Sequence, residues 1–290
     1  MKLSINANYF LLTRQPNRYR TIDESFALCK EAGFQVLDFS PFLDDRWEAN
    51  ANAAVEAAEK YGLVLEQSHA PYNFYSNLPA EQFSVILDRS IEAAIRMKNR
   101  QLVFHMDEYH AATTEEYDPE AALKSAYEAL APHVEKALAG GVRVALETIF
   151  EDRKTYGLKG RSHFGGTFEE LMASIARFDH PDVGCCWDFG HASIGYGKEH
   201  CEMIRKMGKK IICTHTHDNY YNRDLHVLPF MGDLPWADLM RTMREIDYGG
   251  NLTFELVYGR LPDRLLPGFI KQTYDTGVVL LDMFEGKEIL

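Results

Sequence analysis

No run of about 18 consecutive apolar residues occurs in the 290-residue chain, which excludes a membrane-spanning helix. The opening residues, MKLSINANYF, carry no apolar stretch behind a basic lead and no cleavage signal. No secretory segment is expected, and the cytoplasm is the expected compartment. Cysteine is scarce. Cys29, Cys185, Cys186, Cys201 and Cys213 are odd in number and irregularly spaced, so they form neither a disulfide framework nor a Cys-x-x-Cys zinc site. Cys185 and Cys186 are neighbours in an apolar run, where a strand turns their side chains to opposite faces; both read as core packing. No Gly/Ser/Pro-rich linker divides the chain, so residues 1–290 are expected to form a single domain.

Positive charge is also short. Lys and Arg number 31 against 43 Asp and Glu, for a formal net charge of −12. Apart from local patches such as Lys159–Gly160–Arg161 there is no basic cluster, and nucleic acid is not the expected partner. A Gly-x-Gly-x-x-Gly turn after the first strand is absent too, which argues against a doubly wound dinucleotide-binding sheet.

What the chain does have is a repeat of short β-rich runs ending in polar residues. The runs are 3–8, 35–40, 63–71, 101–106, 143–148, 183–189, 210–218 and 252–258. Helix-like segments lie between them, at 23–31, 47–61, 79–97, 119–139, 167–178, 198–207, 235–246 and about 267–284. Prolines early in these segments and glycines just after them mark the helix ends. From Ile5 to Glu255 the repeat advances about 36 residues per step, which suits a single (β/α)8 TIM barrel, an α/β fold.

Active sites of such barrels lie at the C-terminal ends of the strands. Those ends carry His69, His105, Glu147, Asp188 with His191, His215 with His217 and Asp218, and Glu255; Asp224 and His226 follow in the seventh loop. Inward-facing carboxylates need partners, and a shared cation supplies one. Carboxylates plus imidazoles, with no cysteine at a strand end, suit a divalent Mn2+, Zn2+, Co2+ or Mg2+ ion. Gly165–Gly166, ahead of the helix near Thr167, reads as a turn that can also take an anion. The aromatic residues Tyr9, Phe39, Tyr72, Trp187 and Tyr258 are expected near the mouth, where they are candidates for stacking on a ligand.

The motifs SHAPY (68–72), VFHMD (103–107), ALET (145–148), WDFGHA (187–192), HTHD (215–218), DLH (224–226), GDLPW (232–236) and FELVYG (254–259), in that order, resemble the xylose-isomerase-like superfamily of (β/α)8 barrels. That superfamily holds sugar and sugar-phosphate isomerases and epimerases, inosose dehydratases and endonuclease IV. The likeness to its epimerase branch implies one divalent ion on Glu147, Asp188, His215 and Glu255. His215 is preferred to His217 there because of the family's His-x-x-Asp pattern, although alternation points His217 inward as well. It further implies Glu147 and Glu255 as catalytic acid/base groups acting beside a carbonyl through an enediolate, with a small sugar or polyol as substrate. His191 would then touch a substrate oxygen. The endonuclease IV branch implies up to three zinc ions, with His69, His105, His191, Asp224 and His226 as further ligands. A keto-inositol dehydratase would use the same site. GDLPW resembles a segment of the sugar-active members, and pairing of related barrels admits a homo-oligomer.

Overall fold

The computed structural model describes residues 1–8, 20–72, 78–106, 118–150, 164–257 and 261–287. Tyr9, Tyr258 and the Lys159–Gly160–Arg161 stretch lie outside them. Eight strands alternate with helices: β1 (Lys2–Asn6), α1 (Ile22–Ala32), β2 (Val36–Asp38), α2 (Trp47–Tyr61), β3 (Val64–His69), α3 (Ala80–Arg96), β4 (Gln101–Phe104), α4 (Pro119–Ala139), β5 (Arg143–Glu147), α5 (Phe168–Phe178), β6 (Val183–Asp188), α6 (Phe189–Tyr196), α7 (His200–Met207), β7 (Ile211–His215), α8 (Trp236–Glu245), β8 (Asn251–Phe254) and α9 (Leu266–Glu285). Adjacent strands pair in parallel in the order 7-6-5-4-3-2-1-8. The remaining seam is closed just past β7, where Thr216 bridges Phe254. The Thr216 N–H donates to Thr253 O at 2.7 Å and the Glu255 N–H donates to Thr216 O at 3.3 Å. The expected TIM barrel is the observed one.

Local chemistry sets the helix boundaries. Thr21 and Glu24 form a reciprocal capping box at the start of α1, which satisfies two orphan donors. Asp118 caps α4 ahead of Pro119, and Gly62 ends α2 in the left-handed conformation. One helix was not expected from sequence. α6 begins directly after β6, and Asp188 is its N-cap, accepting the His191 N–H at 2.7 Å.

Each strand sends alternate residues to two different cores. Phe104, Leu146, Cys185, Trp187, Leu252 and Phe254 face the helices in the main cluster. Against these, α3 lays Phe83, Leu87 and Ile91, and α8 lays Trp236, Leu239, Met240 and Met243. Gly277 lets α9 press on the sheet, since a Cβ there would meet Leu3 at 2.7 Å and Phe254 at 2.9 Å. The other face makes a small plug inside the barrel: Val103, Ala145, Cys186 and Cys213. Cys185 and Cys186 thus pack in different cores, as expected. Phe39 and Trp187 are not mouth residues. Both are fully buried; Phe39 meets Phe26 edge-on and Trp187 stacks on Tyr196.

Trp187 also fixes a buried histidine. Its Nε1–H donates to His200 Nε2 at 3.0 Å, and burial holds the His200 pKa down to about 3. A folded-state value below the unfolded one of ~6.5 means that the unfolded chain binds the extra proton between these values. Stability is complete above pH ~6.5 and falls as the pH drops through this window. Between pH 7 and pH 5 the wild type should lose about 2 kcal/mol more than His200→Gln, whose carboxamide oxygen can still accept from Trp187. Urea midpoints at the two pH values check this, and equal losses would remove the assignment.

Candidate metal centre

The plug inside the barrel is the floor of the site. One two-residue step further along each strand replaces its small apolar residues by polar ones: Val103 by His105, Ala145 by Glu147, Cys186 by Asp188, Cys213 by His215 and then His217. Gln67 to His69 on β3 and Thr253 to Glu255 beyond β8 follow the same step. The inward period of 2 therefore brings six strand ends onto one level. All the expected site residues meet there, in three groups, each with its donor atoms within 4.8 Å of one another: Glu147, Asp188, His215 and Glu255; His69, His105 and Glu147; and His191, His217, Asp224 and His226.

Glu147 links the first two groups. Its Oε1 lies 2.9 Å from His215 Nδ1 and 3.4 Å from His191 Nδ1. Its Oε2 lies 2.8 Å from His69 Nε2 and 2.9 Å from His105 Nε2. His215 Nδ1 is also 3.4 Å from Glu255 Oε2 and 3.7 Å from Asp188 Oδ2. The alternatives of helix cap and site carboxylate for Asp188 are both realised. The residue caps α6 and stands 3.0 Å from His217 Nε2.

Both histidines of HTHD point inward. His215 belongs to the group with Glu147, and His217 to the outer group, its ring stacked on His226 at 3.8 Å. His217 was an alternative to His215 on alternation grounds and is instead an additional member. Gly190 makes room for it, because a Cβ there would lie 1.8 Å from His217 Cε1. Asp218, also at a strand end, is not in any group. It accepts the N–H groups of Asn219, Phe230 and Leu234 and the Trp236 Nε1–H, the longest at 3.2 Å. GDLPW is therefore tied to Asp218, through the Leu234 N–H and the Trp236 Nε1–H. The turn at Gly165 is not open to an anion, since its N–H donates to Glu170 Oε2 at 3.0 Å. Of the mouth aromatics, Tyr72 stays exposed, with its ring stacked 4.8 Å from that of His105.

The electrostatics are those of carboxylates neutralised by imidazolium. Burial alone would raise the Glu147 carboxyl, but His215 and His105 outweigh it and hold it well below the usual carboxylate range. Asp188 and Asp224 are lowered against burial chiefly by His191, with His217 and His226 respectively. Burial lowers the imidazoles, yet the carboxylates prevail: His215 and His191 are raised well above the ordinary value and His226 to about 9.

These residues fit a divalent ion, and the ring orientations are the test. His69, His191 and His226 each turn Nδ1 to a backbone carbonyl, of Ala70 at 2.5 Å, Thr148 at 2.9 Å and Glu255 at 2.9 Å. A proton fixed on Nδ1 leaves Nε2 facing Glu147 or Asp224 as the donor atom, the arrangement that orients metal-binding histidines. Four carboxylates interleaved with six imidazoles, and no thiolate among them, match Mn2+, Zn2+, Co2+ or Mg2+.

The chain matches the family model of the xylose isomerase-like TIM barrel over residues 26–269. It is similar to the uncharacterized protein y4fM of Sinorhizobium fredii, at 27% identity over 277 residues, covering 83% of this chain and 84% of that one. Among solved structures it resembles a D-tagatose 3-epimerase-like protein, with a TM-score of 0.75, 22% identity and 99% of both chains covered. It also resembles the 3-keto-D-glucoside 4-epimerase YcjR of E. coli, with a TM-score of 0.71, 18% identity, and 95% of this chain and 99% of that one covered. At these identities the two structures speak for the fold. The family match spans most of the chain: it belongs to the xylose isomerase-like TIM-barrel family.

Proposed function

We propose that this protein is a divalent-metal-dependent isomerase or epimerase of a small sugar, sugar phosphate or inositol-like polyol. The observation that carries this reading is the convergence of two glutamates on one four-residue group: Glu147 Oε1 at 2.9 Å and Glu255 Oε2 at 3.4 Å from the same His215 nitrogen, with Asp188 beside them. The similarity to solved sugar epimerases supports it. A divalent ion held by Glu147, Asp188, His215 and Glu255 supplies Lewis-acid polarisation of a carbonyl and its neighbouring hydroxyl. The chain's own work is then proton transfer at the carbon beside that carbonyl. One glutamate removes the proton and the other returns it.

Of the two, Glu255 is the more open, with its side chain 11% exposed against 1% for Glu147. Glu147 is engaged at both oxygens, whereas among the described residues the Glu255 carboxylate is within ion-pair range of two imidazoles, His215 and His226. Glu255 is thus the better placed to exchange a proton with a substrate entering from the mouth. His191, at the wall, presents Nε2 toward Asp224 and the opening, where it can meet a substrate hydroxyl. In this reading residues 1–290 act as one barrel domain in the cytoplasm, with a small-molecule partner and no nucleic acid.

A second reading is favoured by a specific observation. The five residues of the endonuclease IV ligand set, His69, His105, His191, Asp224 and His226, all fall into the two further groups, and His217 adds a fourth donor to the outer one. That is the donor set of a three-ion phosphodiester hydrolase, in which clustered zinc supplies an activated water.

Elemental analysis of the purified protein separates the two readings. The isomerase reading expects one tightly held divalent ion per chain, and the hydrolase reading three. For the isomerase reading, Glu255→Gln should cut turnover by roughly 10²-fold or more. It should also abolish solvent-deuterium incorporation at the reacting carbon of a ketose substrate, followed by NMR. Full turnover with unchanged incorporation would sink the two-glutamate mechanism.

A further inference from the structure

Asp38 ends β2 on the inner side of the barrel, and it is fully buried. A bulge between Leu37 and Asp38 shifts the β2–β3 register so that Asp38 faces Gln67. The Gln67 amide donates to Asp38 Oδ2 at 3.0 Å, and Asp38 Oδ1 has no partner among the described residues. A neutral amide does not balance a buried carboxylate, which is costly without a cationic partner. Among the described residues the one side-chain cation within ion-pair range is the ring of His215, whose Nε2 lies 3.7 Å from Asp38 Oδ2. That Nε2 is itself fully buried and without a hydrogen-bond partner.

His215 is turned opposite to His69, His191 and His226. Those rings give Nδ1 to a backbone carbonyl and present Nε2 to the carboxylates. His215 presents Nδ1 to Glu147, Glu255 and Asp188, so its Nε2 must carry the proton when Nδ1 is a donor atom. No backbone carbonyl takes that proton among the described residues. Among the described residues the Asp38 carboxylate, 3.7 Å away, is the one carboxylate in ion-pair range of it, where the other three histidines have a carbonyl at Nδ1.

We infer that Asp38 is the positioning residue of the inner metal group: its carboxylate, 3.7 Å from His215 Nε2, attracts the Nε2–H, holds the ring with Nδ1 toward Glu147, Asp188 and Glu255, and raises that nitrogen's basicity. This inference rests on the proposal that a divalent ion binds Glu147, Asp188, His215 and Glu255. Asp38 does not touch the substrate or the ion. It acts through His215, and Gln67 donates to the same oxygen, Oδ2.

The test titrates ion-free wild type, Asp38→Ala and Asp38→Asn with Mn2+ and with Zn2+, reading affinity for the first equivalent by competition with a chromophoric chelator. The ion-free Tm of each variant is measured in parallel. Asp38→Ala should weaken the ion by about 10- to 100-fold, the usual effect of losing such a partner. Asp38→Asn, whose carboxamide oxygen can still accept from Nε2–H, should recover part of the loss. The ion-free Tm should not fall in step, because the step weakened is the presentation of Nδ1 to the ion rather than the packing of the barrel. Wild-type affinity in either folded variant overturns the inference, as does an affinity loss matched by an equal loss of ion-free stability. Should Asp38→Ala fail to fold, Asp38→Asn decides alone, through its smaller but measurable loss. A wild type that binds neither ion overturns the metal proposal itself, an outcome visible before any variant is made.

Discussion

The Glu147 carboxylate is the interaction on which the rest of the centre depends. It is buried at the end of β5 with two imidazoles on each side, and it belongs to two of the three donor groups at once. A single carboxylate in that position would be driven toward its neutral form by burial. It stays ionised because positive charge surrounds it, first from His215 and His105. The dependence runs both ways, since His215 is raised well above its ordinary range by Glu255 and Glu147. Removing one partner of such a set leaves an uncompensated buried charge, which is far more damaging than the net worth of the pair suggests.

The barrel's contribution is to keep this charge where it can be neutralised. Beneath the donors the apolar part of the interior is formed by Val103, Ala145, Cys186 and Cys213, small side chains that fill the narrow floor. The loops are bound to the same frame by polar contacts of their own. Asp218 draws the chain after β7 into a compact turn through three backbone N–H groups and Trp236, and this turn carries Asp224 and His226 back over the mouth. Asp188 joins β6 to α6 by capping the helix with one oxygen while its carboxylate faces His217. Secondary-structure termini thus serve as anchors for donor side chains, which narrows their freedom before any ion arrives.

Much of this was legible in the sequence, and for a physical reason. In a parallel barrel strand the period of 2 and the change from apolar to polar at its end are both written in the residue order, so the strand-end residues from His69 to Glu255 could be picked out together, while the set of Glu147, Asp188, His215 and Glu255 came from the family resemblance. The same period could not decide between His215 and His217, because both lie on the inward face; only the loop geometry assigns them to different groups. Asp38 was passed over because β2 does not end in a motif. It lies within the apolar run QVLDFS, where alternation gives its face but not its partner 177 positions away. Phe39 and Trp187 were misplaced at the mouth for the converse reason. They follow or precede inward residues by one position, and a single step along a strand moves a side chain from the barrel interior to the helix layer.

The histidine orientations connect the site's electrostatics to its chemistry. Rings whose Nδ1 proton is fixed by a carbonyl can bear a second proton on Nε2, toward a carboxylate, or yield that position to a metal ion. The ion-free centre is held together by such second protons, as the raised His69, His191 and His226 values require. Ions and protons are therefore competitors for the same positions between the same atoms, and binding of each ion must release protons from the group that holds it. Because the three groups share only Glu147, filling the inner one need not empty the outer one of its protons. His191 and His226 can then remain charged beside Asp224 at the mouth, where an imidazolium is a hydrogen-bond donor to an incoming hydroxyl or anion.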